Sequence, residues 1–523
     1  MSLAANRPIR DGVATRIRWR KWIVFALVAH CVYAPSGVAQ QTTKGEAIPG
    51  ARSSQARARL HSLAADINSI IGDYAFVDAS WGVSVVSCQS GEILYEYDAN
   101  RNRQYASNIK LVTTSAALAL LGSDYRFSTE IYIAGLIADG TTENDLVIRP
   151  MGDPTISPSF GVDPRGVLGE WGGVLDSLGV RKVRNVVVDA SWYEDTPYGP
   201  GWAWDDEAYG FNARVSAAVI YDNAVEVRIE PGEVAGAPAR IHLVPPTAYV
   251  SLQVTAVTGT TIGMGTIDVR RERGSDIIMV SGSIALGAEP YVEDISVDDP
   301  PIYLGTLVSE ELARRNIAVK GGVVDAADLR RPLPYSSMRR IHVHRSQPLR
   351  QIVTAINKQS LNLAAELLVR EIGQRECGAG ETAAGIDAVR RWHGTTGVDP
   401  ERIRIVDGSG LSRLNMLAPS DVTRILRASW MAPWWADFRA SLSVAGVDGT
   451  LTNRMTGSLA AGNAIGKTGF LNGIRALSGY VRTRDGEWLA FSIVANNYSV
   501  PTGVVNTAQD MIVMRLASFA RKA

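Results

Sequence analysis

Cysteine is nearly missing from these 523 residues: Cys31, Cys88 and Cys377 are the only three. That excludes a disulfide framework, so packed apolar cores must hold the chain together. Cys88 and Cys377 either pair or remain as buried thiols. Histidine is scarce as well, with six residues. No cluster with metal-ligand spacing stands out among them, and His342-x-His344 reads as one face of a strand rather than half a zinc site. Net charge is absent, because 53 basic and 53 acidic residues cancel. No apolar run reaches the ~20 residues of a membrane span, and Trp22–Tyr33 is about half that length. Lysine supplies only eight of the 53 basic residues. A lysine where arginine is the habitual cation therefore invites a reason.

The N-terminus has an order that the rest lacks. Arg16, Arg18, Arg20 and Lys21 precede the apolar run, and the small residues Gly37-Val38-Ala39 follow it. Charged, apolar, then small is the order of a secretory signal, which predicts a leader over 1–39 and an exported, periplasmic mature protein; a non-cleaved anchor is the alternative. Cleavage after Ala39 removes six basic residues and Asp11, taking the formal charge from 0 to −5. A mildly acidic mature chain lacks the basic footprint of a nucleic-acid binder. Residues 40–56 are polar and read as a linker.

At this length two or three domains are expected. The stretch 81–101 alternates around a Ser-Gly turn and predicts a β-hairpin. Tyr105–Gly122, "YASNIKLVTTSAALALLG", predicts a helix apolar nearly all round, stopped at Gly122. From about 130 to 340 short β-rich runs alternate with Gly, Pro and Asp turns, which predicts an all-β or mixed insertion. Helical periodicity returns in 348–373 and 418–430. Two strands over 474–483 and 488–497 then precede a closing amphipathic helix near 505–520. Its face of Met511, Ile512, Leu516 and Phe519 suits packing on a sheet, with peripheral membrane contact as the alternative.

Three short motifs occur in order: Ser107-Asn108-Ile109-Lys110, Ser360-Leu361-Asn362 and Lys467-Thr468-Gly469. Each alone is weak; together they match the set in which an SxxK serine works with an S-x-N loop and a KTG strand. Positions i and i+3 share a helix face, so the Lys110 amine can reach the Ser107 hydroxyl. Serine needs a base to take its proton. Lysine can be that base if burial and a second cation, for which Lys467 is the candidate, lower its pKa; arginine holds its proton. Free N–H groups at the helix start suit developing negative charge.

These motifs resemble those of the penicillin-binding proteins. The surrounding text resembles one branch, the low-molecular-mass class C D-alanyl-D-alanine carboxypeptidases/endopeptidases. The matching blocks run from "YASNIKLVTTSAALALLG" through "MGDPTI", "GWAWDDEAYGFNARVSAAVIYDN", "INKQSLNLAAELLVREIG", "VDGSGLSRLN" and "SVAGVDGTLTNRM" to "GKTGFLNGIRALSGYV". The resemblance implies an α+β fold: a transpeptidase-like domain, an antiparallel sheet flanked by helices, over 57–130 and 341–523. A β-rich insertion would occupy 131–223 and 291–340, with a second nested domain over 224–290.

It also implies roles. Ser107 would attack the penultimate D-alanine carbonyl and Lys110 would be its base. Ser360 would relay protons, Asn362 would hold the acyl side, and Lys467 would add positive potential. Thr468, Gly469 and Phe470 would bind substrate, Thr468 through the terminal carboxylate. The backbone N–H groups of Ser107 and Phe470 would form the oxyanion hole. The implied partners are peptidoglycan stem peptides and β-lactams; no cofactor is implied. Two residues depart from the branch: Leu361 stands where Asp is frequent, and Phe470 where Thr is usual.

Other readings make different use of the same residues. "VDGSGLS" hints at the nucleophile elbow of a Ser-His-Asp hydrolase, but Asp407 takes the first glycine's place, so Ser409 reads as part of a tight turn. A class A β-lactamase shares the first and third motifs without needing the long insertion. A catalytically idle wall-binding scaffold would not need all three motifs intact.

Overall fold

A computed structural model describes residues 54–134, 144–260 and 265–521. The leader and nearly all of the linker lie outside the described residues. Helix α1 (Ser54–Ile71) opens within the stretch read as linker. Strands β1 (Ser80–Ser87) and β2 (Ile93–Tyr97) form the expected hairpin. A 3₁₀ turn over Ala106–Asn108 leads into α2 (Ile109–Leu120), and Gly122 follows in the left-handed region at φ +86°.

The middle of the chain is mixed. It carries β3 (Ser128–Ile133), β4 (Leu146–Pro150), α3 (Pro164–Ser177) and β5 (Lys182–Val188). Strands β6 (Ala224–Glu230), β7 (Arg240–Val244), β8 (Ser251–Val254), β9 (Val257–Gly259), β10 (Asp268–Arg271), β11 (Ile277–Ser281), β12 (Ser283–Ala285) and β13 (Tyr291–Ser296) follow. Then come α4 (Pro300–Arg314), β14 (Ala318–Asp325) and β15 (Arg339–Arg345). Helices α3 and α4 were not foreseen. Four glycines hide α3 from a propensity reading, yet Asp163 caps its first turn and Pro164 fits N1. A Cβ on Gly172 would lie 2.5 Å from Arg315 Cδ, so the glycine lets the end of α4 pack close.

The C-terminal part runs α5 (Leu349–Gln359), α6 (Asn362–Cys377), α7 (Thr382–Gly394), α8 (Pro419–Met431) and α9 (Trp435–Ser441). Strands β16 (Ser443–Val444), β17 (Ile465–Leu471), β18 (Ile474–Arg482) and β19 (Trp488–Asn496) precede α10 (Thr502–Ser518). The helical run of 348–373 is thus two helices, broken where Ser360 turns left-handed at φ +66°.

Both chain ends build one six-stranded antiparallel sheet, ordered β16-β17-β18-β19-β1-β2. One face packs on α1 and α10 through Val83, Val85, Phe491, Ile493, Ile512 and Leu516. The other packs on α2 and α5–α9 through Ile109, Val112, Leu368, Ile425 and Val494. Cover on both faces explains why β19 is apolar almost throughout. Ile512, Leu516 and Phe519 of the closing segment are buried as expected, whereas Met511 faces outward at 45% exposure. Among the described residues no helix is long and apolar enough to cross a membrane.

A five-stranded sheet, β14-β5-β4-β3-β15, has α3 and α4 on one face, around Trp171, Leu304 and Val186. Strands β3 and β15 pair with each other, so the expected domain boundaries at 130/131 and 340/341 both cut through strands of this sheet. Likewise β13 pairs with β6, Tyr291 opposite Ile229, which carries the nested set one strand past 290. Cys88 and Cys377 are both free, Cys88 buried and Cys377 exposed.

Candidate active site

Three elements converge on one small volume: the turn before α2, the break between α5 and α6, and strand β17. The turn is tightly held. Ala106 sits at φ +47°, an unusual conformation for a residue with a side chain. Two glycines make room for it. A Cβ on Gly410 (φ +83°) would come within 2.0 Å of Ala106 O, and one on Gly469 within 2.3 Å of Tyr105 O. Asn108 donates its amide to Lys467 O at 2.8 Å, tying the turn to β17.

Lys110 is fully buried in the first turn of α2. Its Nζ reaches Ser107 Oγ at 3.0 Å, Asn362 Oδ1 at 2.6 Å and Ser409 O at 2.7 Å. Ser360, at the left-handed end of α5, accepts from Lys467 Nζ at 2.9 Å, and Lys467 also donates to Thr468 O at 3.0 Å. Asn362 opens α6 and donates to Phe211 O at 2.8 Å, so the middle of the chain supplies one wall. Thr468 donates to Thr450 Oγ1 at 2.9 Å. Phe470 is 55% exposed beneath the Arg475 guanidinium, 5.6 Å from the ring centroid. All eight residues singled out from the sequence therefore lie in or beside one cleft. A cavity of about 380 Å³ running from Ser360 and Asn362 past Phe211 to Asp222 and Asp294 extends it.

The electrostatics separate the two lysines. Burial lowers the Lys110 pKa to about 7, against the opposing pull of Asp407 and Glu366. Burial drives Lys467 well below its ordinary value, helped by repulsion from Lys110 and Arg475, with no carboxylate opposing it. The two buried amines repel each other, and that mutual repulsion disfavours protonation of both at once. The carboxylates beside Lys110 offset part of its desolvation, an offset that Lys467 lacks among the described residues.

Glu366 was not singled out from the sequence, and Asp407 was read only as part of the tight turn at Ser409. Glu366, one turn into α6, accepts from Gly408 N at 3.0 Å and Ser409 N at 2.7 Å. Asp407 accepts from Gly410 N at 2.8 Å, Ser412 N at 2.6 Å, Trp202 Nε1 at 3.0 Å and Asn415 Nδ2 at 2.7 Å. Both carboxyls are buried and pushed up by desolvation. Together they fix the 407–410 turn so that the Ser409 carbonyl meets Lys110. Ser409 is itself buried, in keeping with a tight turn and not a nucleophile elbow. The position of Glu366, four residues after Asn362 and so on the same helix face, was the available signal.

The site can remove a proton from a serine next to a buried amine whose pKa lies near 7, in a cleft with a second amine opposite. The His342-x-His344 pair lies outside it, on β15 as a strand face, but with Glu170 of α3 against it.

Residues 63–519 match the D-Ala-D-Ala carboxypeptidase 3 (S13) family. A D-alanyl-D-alanine carboxypeptidase of Actinomadura sp. (strain R39) is 36% identical over 475 residues, covering 88% of this chain and 86% of that protein. The D-alanyl-D-alanine carboxypeptidase DacB of Haemophilus influenzae is 26% identical over 428 residues, covering 80% of this chain and 85% of its own. Among solved structures, penicillin-binding protein 4 of Haemophilus influenzae superposes with a TM-score of 0.73 at 23% identity, covering 87% of this chain and 99% of that one. A second structure of that protein, complexed with a β-lactam, gives a TM-score of 0.68 at 22% identity over 86% and 97% of the two chains.

Proposed function

The chain belongs to the D-Ala-D-Ala carboxypeptidase 3 (S13) family, and from that premise we propose that it is a serine DD-peptidase of peptidoglycan with Ser107 as its nucleophile. The observation that carries the assignment of roles is the Lys110 Nζ 3.0 Å from Ser107 Oγ in a fully buried setting. In the proposed reaction neutral Lys110 takes the Ser107 proton as Oγ bonds to the carbonyl carbon of the penultimate D-alanine. The backbone N–H groups of Ser107 and Phe470 receive the oxyanion. The C–N bond then breaks, and the proton passes through Ser360 to the departing amine, leaving an ester on Ser107. Water attacks that ester, returns a proton to Ser107 and frees the shortened peptide.

Asn362 would orient the acyl side through its amide, a role that its hydrogen bonds to Lys110 and Phe211 O support. Thr468, supported by Thr450, would hydrogen-bond the terminal carboxylate. Lys467 would take up a proton as that carboxylate enters, because an anion favours the ammonium form. Stem pentapeptides would lose terminal D-alanine, and D-alanine-containing cross-links would be cut by the same acyl transfer. β-Lactams would acylate Ser107 in place of substrate. The order of charged, apolar and small residues at the N-terminus supports export to the periplasm.

Incubation with purified muropeptides tests the reading. Free D-alanine from pentapeptide marks carboxypeptidase action, and monomers from cross-linked dimers mark endopeptidase action. Neither product, together with no covalent labelling by a fluorescent penicillin, would sink it.

A further inference from the structure

On the face of the five-stranded sheet that α3 covers, three side chains with metal-binding atoms meet. His342 and His344 alternate along β15 and so project from one face of the strand. Helix α3 crosses that face and brings Glu170, with its Oε1 3.4 Å from His342 Nε2. One donor atom from each of the three residues lies within 4.8 Å of the other two. We propose that Glu170, His342 and His344 form a binding site for a divalent transition-metal cation of the zinc class, outside the catalytic cleft.

The donor set selects the ion class. Two imidazoles and one carboxylate suit zinc and its later first-row neighbours, whereas calcium and magnesium take oxygen ligands. A tetrahedral zinc site needs donor atoms roughly 3.3 Å apart, given bonds of about 2.0–2.1 Å. The His342–Glu170 separation already meets that spacing. Glu170 is the exposed member, at 56% side-chain exposure, so it can adjust and offers the ion a route in from solvent.

The surroundings also fit. His342 Nε2 is buried yet makes no hydrogen bond, an expense that a bound cation removes. His344 has a carboxylate beside it: Asp153 Oδ2 lies 3.7 Å from its Nε2 and is itself buried without a hydrogen-bond partner. With the ion on the other ring nitrogen, Nδ1, that carboxylate would stand on the far side of the ring, where carboxylates orient histidine ligands. Trp171 packs edge-on against the His344 ring, limiting its rotation. Three protein ligands leave one tetrahedral position for water.

The consequence is mechanical. A bound ion would staple α3 to β15, and β15 continues through Ser346–Pro348 into α5, whose end carries Ser360. None of the three ligands touches the catalytic groups.

The test uses the mature chain, freed of metal with a chelator, dialysed against zinc sulfate and analysed for bound zinc. One zinc per chain is expected, with a rise in melting temperature on zinc addition. His342→Ala/His344→Ala should abolish both, and Glu170→Gln, an isosteric change at an exposed position, should weaken binding on the order of 100-fold. Cys377→Ser removes the exposed thiol as a rival ligand and should leave binding unchanged. Should the double histidine variant fail to fold, Glu170→Gln alone decides. No zinc retained by the parent chain, or full retention by Glu170→Gln, would overturn the proposal.

Discussion

The two ends of the catalytic cleft look alike and are built on opposite principles. Each holds one fully buried lysine donating to one serine: Lys110 to Ser107, and Lys467 to Ser360. Beneath Lys110 lie two carboxyls, Glu366 and Asp407; among the described residues the charges acting on Lys467 are the cations Lys110 and Arg475. Desolvation dominates at both ends, but carboxylates at one end hold the amine near neutrality while nothing restrains the fall at the other. The same residue type, equally buried, thus becomes a base poised near working pH at one end. At the other it becomes an amine waiting for an anion.

The hardest break of that comparison is at the base end. Ser107→Ala should abolish covalent labelling by fluorescent penicillin, with acylation reduced at least about 10⁴-fold. Labelling at the wild-type rate would remove Ser107 from the reaction. Lys110→Arg keeps charge but withholds the base, so stopped-flow acylation should fall about 10³-fold. Near-normal acylation by that variant would show that a cation alone suffices.

At the other end, Lys467→Met removes a charge that matters only once a carboxylate is present. Turnover of a peptide ending in free D-alanine should drop about 10²-fold. A derivative of that peptide with its terminal carboxylate amidated should lose much less, and equal losses would contradict the carboxylate pairing.

A gentler change sharpens the contrast through pH. The reactive form of Lys110 is the neutral amine, so wild-type acylation should rise with pH through about 7 and then level. Glu366 raises the Lys110 pKa, so Glu366→Gln should move that midpoint downwards. An unmoved or raised midpoint in the pH–rate profile would contradict the role given to Glu366. The smallest effect is expected from Phe470→Thr. It restores the hydroxyl usual in the branch while keeping the backbone donor to the oxyanion, so kcat/KM should stay within about threefold of wild type.

The hairpin at 80–97, the core helix after Ser107 and the last two strands were legible because period and turn chemistry are local. Helix α3 was not, because its glycines serve a contact with Arg315 that no window of sequence contains. The break at Ser360 was hidden for a related reason: apolar periodicity continues across it, and only the left-handed turn separates the two helices. Among site residues, Ser107, Lys110, Ser360, Asn362, Lys467 and Thr468 stood in motifs. Glu366 stood in none, Asp407 stood in a turn with no evident link to Lys110, and Glu170 gave no reason to be read with two histidines on a distant strand.

What the sequence by itself determined is the list of reactive groups and the family that arranges them so: a serine and lysine one helical turn apart, an S-x-N motif and a KTG motif. Tertiary structure alone decided what each group is at neutral pH. A pKa is set by lost water and by the sum of nearby charges. The carboxyls under Lys110, the cations around Lys467 and the partner of His342 all come from segments that only folding brings together.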